Sequence, residues 1–289
     1  MNSLTLSAST LEKAVCLRRY WYYRVARRKS AAPKSGADAG SCLHRGFAIW
    51  NAGGDTQMQE AAIDRERDAR PMVDDTDYRT HAFLKDAFAQ LRAVLGEQAA
   101  SWERLEIEKR GTRLLGMVGD VRVLIDYRRD VVVRDSSAIW VVDLKSASRD
   151  DSAEVAAFQN SGQFKAYTWA WNDEHPDTPC AGVQPVRLIM RRPSKTGVAF
   201  DVKLDPPARF PAEIIAEWRD STLRRAADII ARRPEDLFDW PMMDHSSGCC
   251  RNQWGCCEYL EVCTLCPADR ALKLSTDAFV DSDFGKETP

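Results

Sequence analysis

Residues 138–145 read Ala-Ile-Trp-Val-Val-Asp-Leu-Lys, an apolar run of five closed by a carboxylate and an ammonium two positions apart. A run this short and this apolar predicts a strand buried on both faces. Side chains alternate across a strand, so Asp143 and Lys145 share one face while Leu144 takes the other. Two opposite charges at the end of a buried strand form either a structural ion pair or part of a site, because burying them without partners is costly.

Upstream, Leu105 to Val133 is rich in β-branched residues and carries the turn-prone Gly111, Gly116 and Gly119, so further strands are predicted there. Gly116-Met-Val-Gly-Asp120 places a carboxylate in that context, with Asp126 as a competitor of the same strand parity. A carboxylate facing Asp143 would make a hard-oxygen pocket suited to Mg²⁺ or Mn²⁺. Downstream, a helix is predicted from about Glu154 to Trp171, and its i, i+4 spacing puts Gln163 and Tyr167 on one face. Strands follow at Val186–Met190 and around Val198–Val202, then a long helix over roughly Ala212–Arg232.

Toward the N-terminus, Ser9 and Glu12 fit a capping box that opens a helix running to about Val25. A second helix beginning near Ser41 holds His44. Between residues 55 and 100, Phe83, Leu84, Phe88, Leu91, Val94 and Leu95 recur at helical spacing. The fold class is therefore α/β, a mixed sheet flanked by helices. A single domain is expected over residues 1–270, with a helical insertion at about 50–100 and a loose tail at 271–289.

Of the 289 residues, 44% are hydrophobic and 29% charged, which excludes general disorder. No apolar run approaches the roughly 20 residues of a membrane span. The opening residues lack the basic and apolar regions of a signal peptide, so a cytoplasmic setting and no membrane partner are expected. The net charge of −2 hides a basic start, where residues 1–34 hold eight Lys and Arg against Glu12 alone. Tyr20, Trp21, Tyr22 and Tyr23 interleave with Arg18, Arg19 and Arg24. That mixture suits phosphate contact and base stacking, or a solvated helix face with aromatics turned to the core.

Nine cysteines are unusual in a reducing compartment unless they bind something. Cys249, Cys250, Cys256, Cys257, Cys263 and Cys266 crowd into 18 residues, while Cys16, Cys42 and Cys180 stand apart. A metal or iron–sulfur centre is the expectation, with a local Cys₄ zinc knuckle ending in Cys263-Thr-Leu-Cys266 as its rival. His81, His175 and His245 are assigned no role.

Taken in order, these elements resemble the PD-(D/E)XK nuclease superfamily, in its RecB-like branch. Asp120, Asp143-Leu-Lys145 and Gln163-x-x-x-Tyr167 resemble the branch's acidic motif, its catalytic strand and its QxxxY helix. Gly40-Ser-Cys-Leu-His44 resembles the helical motif whose histidine helps hold metal. Ser7-x-Ser9-x-Leu11 with Cys16-Leu-Arg-Arg-Tyr20 is similar to the N-terminal signature of the iron–sulfur members, CRISPR-associated and phage-type exonucleases among them. The connection from Asp120 to Asp143 is longer than the compact family pattern. Ser146 stands where Thr is usual, and Leu17 where Pro is common.

The resemblance implies a metal-dependent DNA exonuclease acting on single-stranded or end-containing DNA in recombination, repair or phage DNA processing. His44, Asp120, Asp143 and the Leu144 carbonyl would hold Mg²⁺ or Mn²⁺. Lys145 would orient the attacking water, with Gln163 and Tyr167 positioning it and the substrate. Cys16, Cys250, Cys257 and Cys263 would hold a [4Fe–4S] cluster that staples the chain ends, its segment at residues 249–266 packing on the N-terminal helix. Arg18, Arg19, Trp21 and Arg24 would guide DNA, and a helicase, annealase or recombination partner would fit. The alternative is a zinc- or iron–sulfur-containing DNA-binding accessory protein without hydrolysis.

Overall fold

A computed structural model describes residues 2–8, 11, 16–31, 35–69, 78–194, 199–236, 240–241, 250–252 and 255–281. The elements run β1 (Ser3–Ser7), α1 (Leu17–Tyr20) continued by a π-helical turn (Trp21–Val25), β2 (Arg28–Ser30), α2 (Ser35–Asn51), α3 (Thr56–Asp68) and α4 (His81–Ala100). They continue with β3 (Glu103–Val118), β4 (Val121–Arg134), β5 (Ile139–Ala147), α5 (Ser152–Phe158), α6 (Gly162–Glu174), β6 (Gly182–Met190), β7 (Phe200–Leu204) and β8 (Ala208–Arg209). The last are α7 (Ala212–Ile230), β9 (Arg251–Asn252), β10 (Gly255–Cys256), α8 (Leu260–Thr264), α9 (Pro267–Leu274) and β11 (Phe279–Asp281).

The mixed α/β class matches the sequence reading. The expected single domain instead divides into two compact units. The first comprises residues 34–113 and 125–219; the second comprises residues 1–33, 114–124 and 220–289. No helix among the described residues is long and apolar enough to cross a membrane.

In the first unit, β4 and β5 pair antiparallel, β5 and β6 parallel, and β6 and β7 antiparallel. The parallel pair needs a crossover, which α5 and α6 supply. The single helix expected over 154–171 breaks in two because Asp151 and Ser161 each cap a new start. They accept hydrogen bonds from Ala153 N and Phe164 N at 2.8 and 3.3 Å. Leu43 and Phe47 of α2 and Leu84, Phe88 and Leu91 of α4 pack with Val131, Val133, Val142, Leu144, Val186 and Leu188 of the sheet. Burying each such side chain contributes about 1.5–3 kcal/mol, so β5 is clamped along its length.

The second unit joins the two ends of the chain. Tyr22, Tyr259, Val262, Leu274 and Phe279 form its apolar cluster, with the Tyr22 and Tyr259 rings 4.9 Å apart. Residues 271–281, expected as the start of a loose tail, are anchored because β11 pairs antiparallel with β2. Arg28 donates to Leu274 O and Phe279 O, both at 2.8 Å, and to Asp281 at 3.0 Å. The capping box at Ser9 to Glu12 lies largely outside the described residues, as do His245 and Cys249.

Truncation after Ser275 would remove β11 and two of the acceptors of Arg28. We expect the melting temperature to fall by roughly 5 °C or more, since each kcal/mol is worth about 2–4 °C at this size. A thermal melt that matches the full chain would mean the β2–β11 pairing carries no stability.

Candidate active site

β5 delivers Asp143 and Lys145 as its buried apolar run ends. Asp143 is only 2% exposed, and Lys145 Nζ lies 2.8 Å from its Oδ2. The paired residues of β4 and β5 end at Val131 and Val142. Just beyond them, Leu144 N–H donates at 3.0 Å to the Asp130 carboxylate rather than to strand backbone. The end of the ladder therefore brings a second buried carboxylate, 4% exposed, to the residue between Asp143 and Lys145.

α2 supplies the third group. His44 Nδ1 lies 3.0 Å from Asp130 Oδ2. Gly40, one turn earlier, sits so close to β5 that a Cβ there would lie 2.7 Å from Ser146 Oγ. The glycine and the small Ser146 together let this helix approach the strand, which is why a histidine four residues on reaches the site.

α6 closes the arrangement through Lys145, which donates at 2.9 Å to Gln163 Oε1. Gln163 Nε2 in turn donates at 2.7 Å to Tyr167 Oη. Lys145 is thus held between a carboxylate and an amide, with its own side chain 26% exposed. Glu108 of β3 joins from the other side. Its carboxylate and the ligand atoms of His44 and Asp130 all lie within 4.8 Å of one another. Glu108 has a φ of 49°, a left-handed conformation uncommon for a residue with a side chain. Arg45 Nη1 stands 3.5 Å from it.

Charge is finely balanced here. Burial pushes the Asp130 carboxyl up, but His44, the Leu144 amide and Lys145 outweigh it and hold the group below the usual range. Asp143 goes the other way, because burial and the Asp130 charge outweigh Lys145. Burial pulls His44 down, yet Asp130 and Asp143 more than restore its proton affinity. Tyr167 is driven well above its ordinary value by burial and by the two aspartates.

His44 Nδ1 and Asp143 Oδ2 are buried without an aligned hydrogen-bond partner, although ion-pair partners lie within 3.0 Å. The His44 imidazole and the Glu108 and Asp130 carboxylates, close enough to share one ion, with the buried Asp143 carboxylate beside Lys145, suit a divalent cation of the Mg²⁺ or Mn²⁺ kind. The residues present therefore fit the metal that the sequence implied.

The site gathers His44, Asp143, Lys145, Gln163 and Tyr167 as expected from the sequence. It does not gather Asp120, which occupies the exposed β3–β4 turn beside Gly119, whose φ is 57°. A hairpin tip cannot present its side chain to a neighbouring strand, and the acid that meets Asp143's strand is Asp130, ten residues on. Asp126 lies outside the group formed by His44, Glu108 and Asp130, as does Asp143, which Lys145 ties to the site. Asp130 and Glu108 were missed. The one signal for Asp130 was a lone carboxylate directly before Val131-Val132-Val133, where a charge has no reason to stand in a buried strand.

The basic–aromatic stretch lies in the second unit. Arg18 is 5% exposed and its Nε donates to Trp240 O, while Trp21 Nε1 donates at 2.8 Å to Pro234 O. Arg24 donates to Thr5 O, and Arg19 lies 3.8 Å from Glu258. These contacts tie the side chains into the second unit. His81 and His175 contact Asp68 and Trp171.

The sequence profile described as PD-(D/E)XK nuclease superfamily matches residues 5–264. The chain belongs to the PD-(D/E)XK nuclease superfamily. That family fixes the chemistry as metal-dependent phosphodiester hydrolysis, with DNA as the substrate. Among solved structures the chain is similar to one described as "Crystal structure of SSO0001", at 14% identity and a TM-score of 0.35. The likeness covers 93% of this chain and 88% of that one. No curated protein sequence matches.

A pair of substitutions separates the two acids. Asp130→Asn should lower DNA cleavage by about 100-fold or more, in line with loss of a ligand whose charge acts in the transition state. Asp120→Asn should stay within about twofold of the parent. The opposite ranking in a cleavage assay would return the metal to the β3–β4 turn.

Proposed function

We propose that the protein is a metal-dependent DNA exonuclease of the RecB-like branch, acting on single-stranded or end-containing DNA. The observation that carries this reading is the convergence of His44, Asp130, Asp143, Lys145 and Gln163 with buried ligand atoms left unaligned. A decayed, purely DNA-binding descendant would have no need to keep such a costly cluster intact.

His44, Asp130 and Asp143 are the groups that would hold Mg²⁺ or Mn²⁺, with Glu108 and the Leu144 carbonyl available to complete the shell. A divalent ion so held polarises a phosphodiester oxygen and makes bound water more acidic. Lys145, fixed by Asp143 and Gln163, aligns the attacking water and donates to the charge growing on the phosphorus-bound oxygens. Gln163 keeps the ammonium from folding onto Asp143 alone, and Tyr167 fixes which way the Gln163 amide faces. Water oxygen bonds to phosphorus as the bond to the leaving oxygen breaks.

In the second unit, Cys16, Cys257 and Cys263 would hold a [4Fe–4S] cluster together with Cys250. Burial pushes the Cys257 and Cys263 thiols up, and Cys16 is near enough to raise both further. Cys257 N–H donates at 2.8 Å to Cys250 O, which keeps the fourth cysteine's backbone alongside. Cys266, the extra member of the zinc alternative, is exposed and directs its Sγ to Asp269 at 2.9 Å. A structural role suits the cluster, since it would join residue 16 to residues 250–263 across a very long loop. A helicase, annealase or other recombination partner would supply the DNA ends.

End-labelled single- and double-stranded DNA incubated with Mg²⁺ or Mn²⁺ tests the activity. Progressive loss of label that chelator and Asp143→Ala both abolish is expected. Equal loss with the variant, or cuts confined to internal positions, would overturn the exonuclease reading.

Anaerobically purified protein should be brown and contain iron and acid-labile sulfide in equal amounts, and Cys257→Ser should lose both. Stoichiometric zinc with no visible absorbance would replace the iron–sulfur assignment.

A further inference from the structure

Behind the site, Arg129 is completely buried, with an exposure of 0%. Its Nε and Nη2 donate to both carboxylate oxygens of Glu106 on β3, at 2.7 and 3.0 Å. Nη2 also donates at 2.7 Å to Glu174, the last residue of α6. The guanidinium lies over the rings of Tyr127 and Trp171 at 4.6 and 5.5 Å. Tyr127 Oη donates to Glu174 as well, and Lys109 adds ion pairs to Glu106 and Glu174 at 3.1 and 3.4 Å. A buried arginine with two carboxylates is an expensive feature, and replacement by apolar side chains often leaves stability unchanged or higher. Its retention asks for another reason.

Each arm of this cluster ends next to a group of the site. Arg129 directly precedes Asp130, so fixing its guanidinium fixes where the next side chain points. Glu106 precedes Glu108 by two positions. A regular strand would send those two side chains to the same face, yet Glu106 meets Arg129 while Glu108 joins His44 and Asp130. The left-handed backbone at Glu108 accounts for the change of direction, and the Arg129–Glu106 fork anchors the strand just before it. Glu174 ends the helix whose other end carries Gln163 and Tyr167. One guanidinium thus ties down β4, β3 and α6, the three elements that bring Asp130, Glu108 and the Gln163–Tyr167 pair to Lys145.

We propose that Arg129 is a positioning residue for the metal centre, acting through Glu106 on the Glu108 and Asp130 side and through Glu174 on the Lys145–Gln163 side. The inference rests on the reading of this site as a metal-dependent nuclease centre. It assigns the planar fork a geometric task that neither a single ammonium nor an apolar packing could perform.

The test measures Mn²⁺ uptake, from the electron paramagnetic resonance signal of free ion, alongside DNA cleavage by the full chain. The combined variant Arg129→Met, Glu106→Leu, Glu174→Leu removes the charges together, so no carboxylate is left buried alone. It should melt cooperatively with native circular dichroism, bind Mn²⁺ at least tenfold more weakly, and lose at least tenfold in kcat with KM for DNA little changed. Arg129→Lys should fall between it and the parent. A folded triple variant with parental Mn²⁺ affinity and kcat would overturn the proposal.

Should the triple variant fail to fold, Glu174→Gln decides, because it removes the α6 carboxylate from the cluster while leaving the Arg129–Glu106 fork in place. It should keep parental Mn²⁺ affinity and lose several-fold in kcat, whereas unchanged kcat would contradict the α6 arm. The parent and Asp143→Ala serve as controls. If the parent takes up no Mn²⁺ that depends on Asp143, the site reading itself falls and the lock with it. If the parent binds normally and the variants match it, the lock alone falls.

Discussion

Two carboxylates buried at the end of one strand pair are the constraint around which the first unit is arranged. Asp130 and Asp143 repel each other, and each resists losing water. Left alone they would take up protons or unfold the strand ends. His44, Lys145 and the Leu144 amide offset this, and removing any one charged partner of such a set typically costs about 3–5 kcal/mol. A divalent cation would complete the balance more strongly than any single side chain. The clamped β5, the halted β4 ladder, the close approach of α2 at Gly40 and the capped start of α6 each bring one of these partners into range.

The sequence made β5 legible because its signal is local: five apolar residues and an alternating Asp-x-Lys leave few other readings. His44, Gln163 and Tyr167 were legible through their order in the chain, since each sits on a helix whose period shows in the sequence. Asp120 misled because spacing to a glycine says nothing about where a hairpin turns. β3 and β4 continue through Val118 and Val121, so the Gly119-Asp120 step is the tip rather than a strand residue facing Asp143. The long connection from Asp120 to Asp143 was the informative departure, and it disappears once Asp130 is the acid. Glu108 was not legible at all, since its side chain changes face through a backbone conformation that no residue type announces.

The basic start of the chain shows the same limit in electrostatic terms. Arg18, Arg19, Arg24 and Arg28 read as an exposed cationic helix because their acceptors are distant in sequence. Several of those acceptors are backbone carbonyls of Thr5, Trp240, Leu274 and Phe279, which carry no signal in residue type. The same contacts explain why residues 271–281 are held rather than loose. Cysteines from both ends of the chain fall within this clasped unit, so a cluster there would reinforce a junction that hydrogen bonds and aromatic packing already make.

The reading of the first unit as a metal centre requires one divalent ion between α2, β4 and β5. Anomalous scattering at the manganese edge, from crystals grown with Mn²⁺, tests it most directly. A single strong peak is expected in the first unit within bonding distance of the His44 imidazole and the Asp130 and Asp143 carboxylates. A peak held instead by Asp120, or no peak near Asp143 at saturating Mn²⁺, would contradict it.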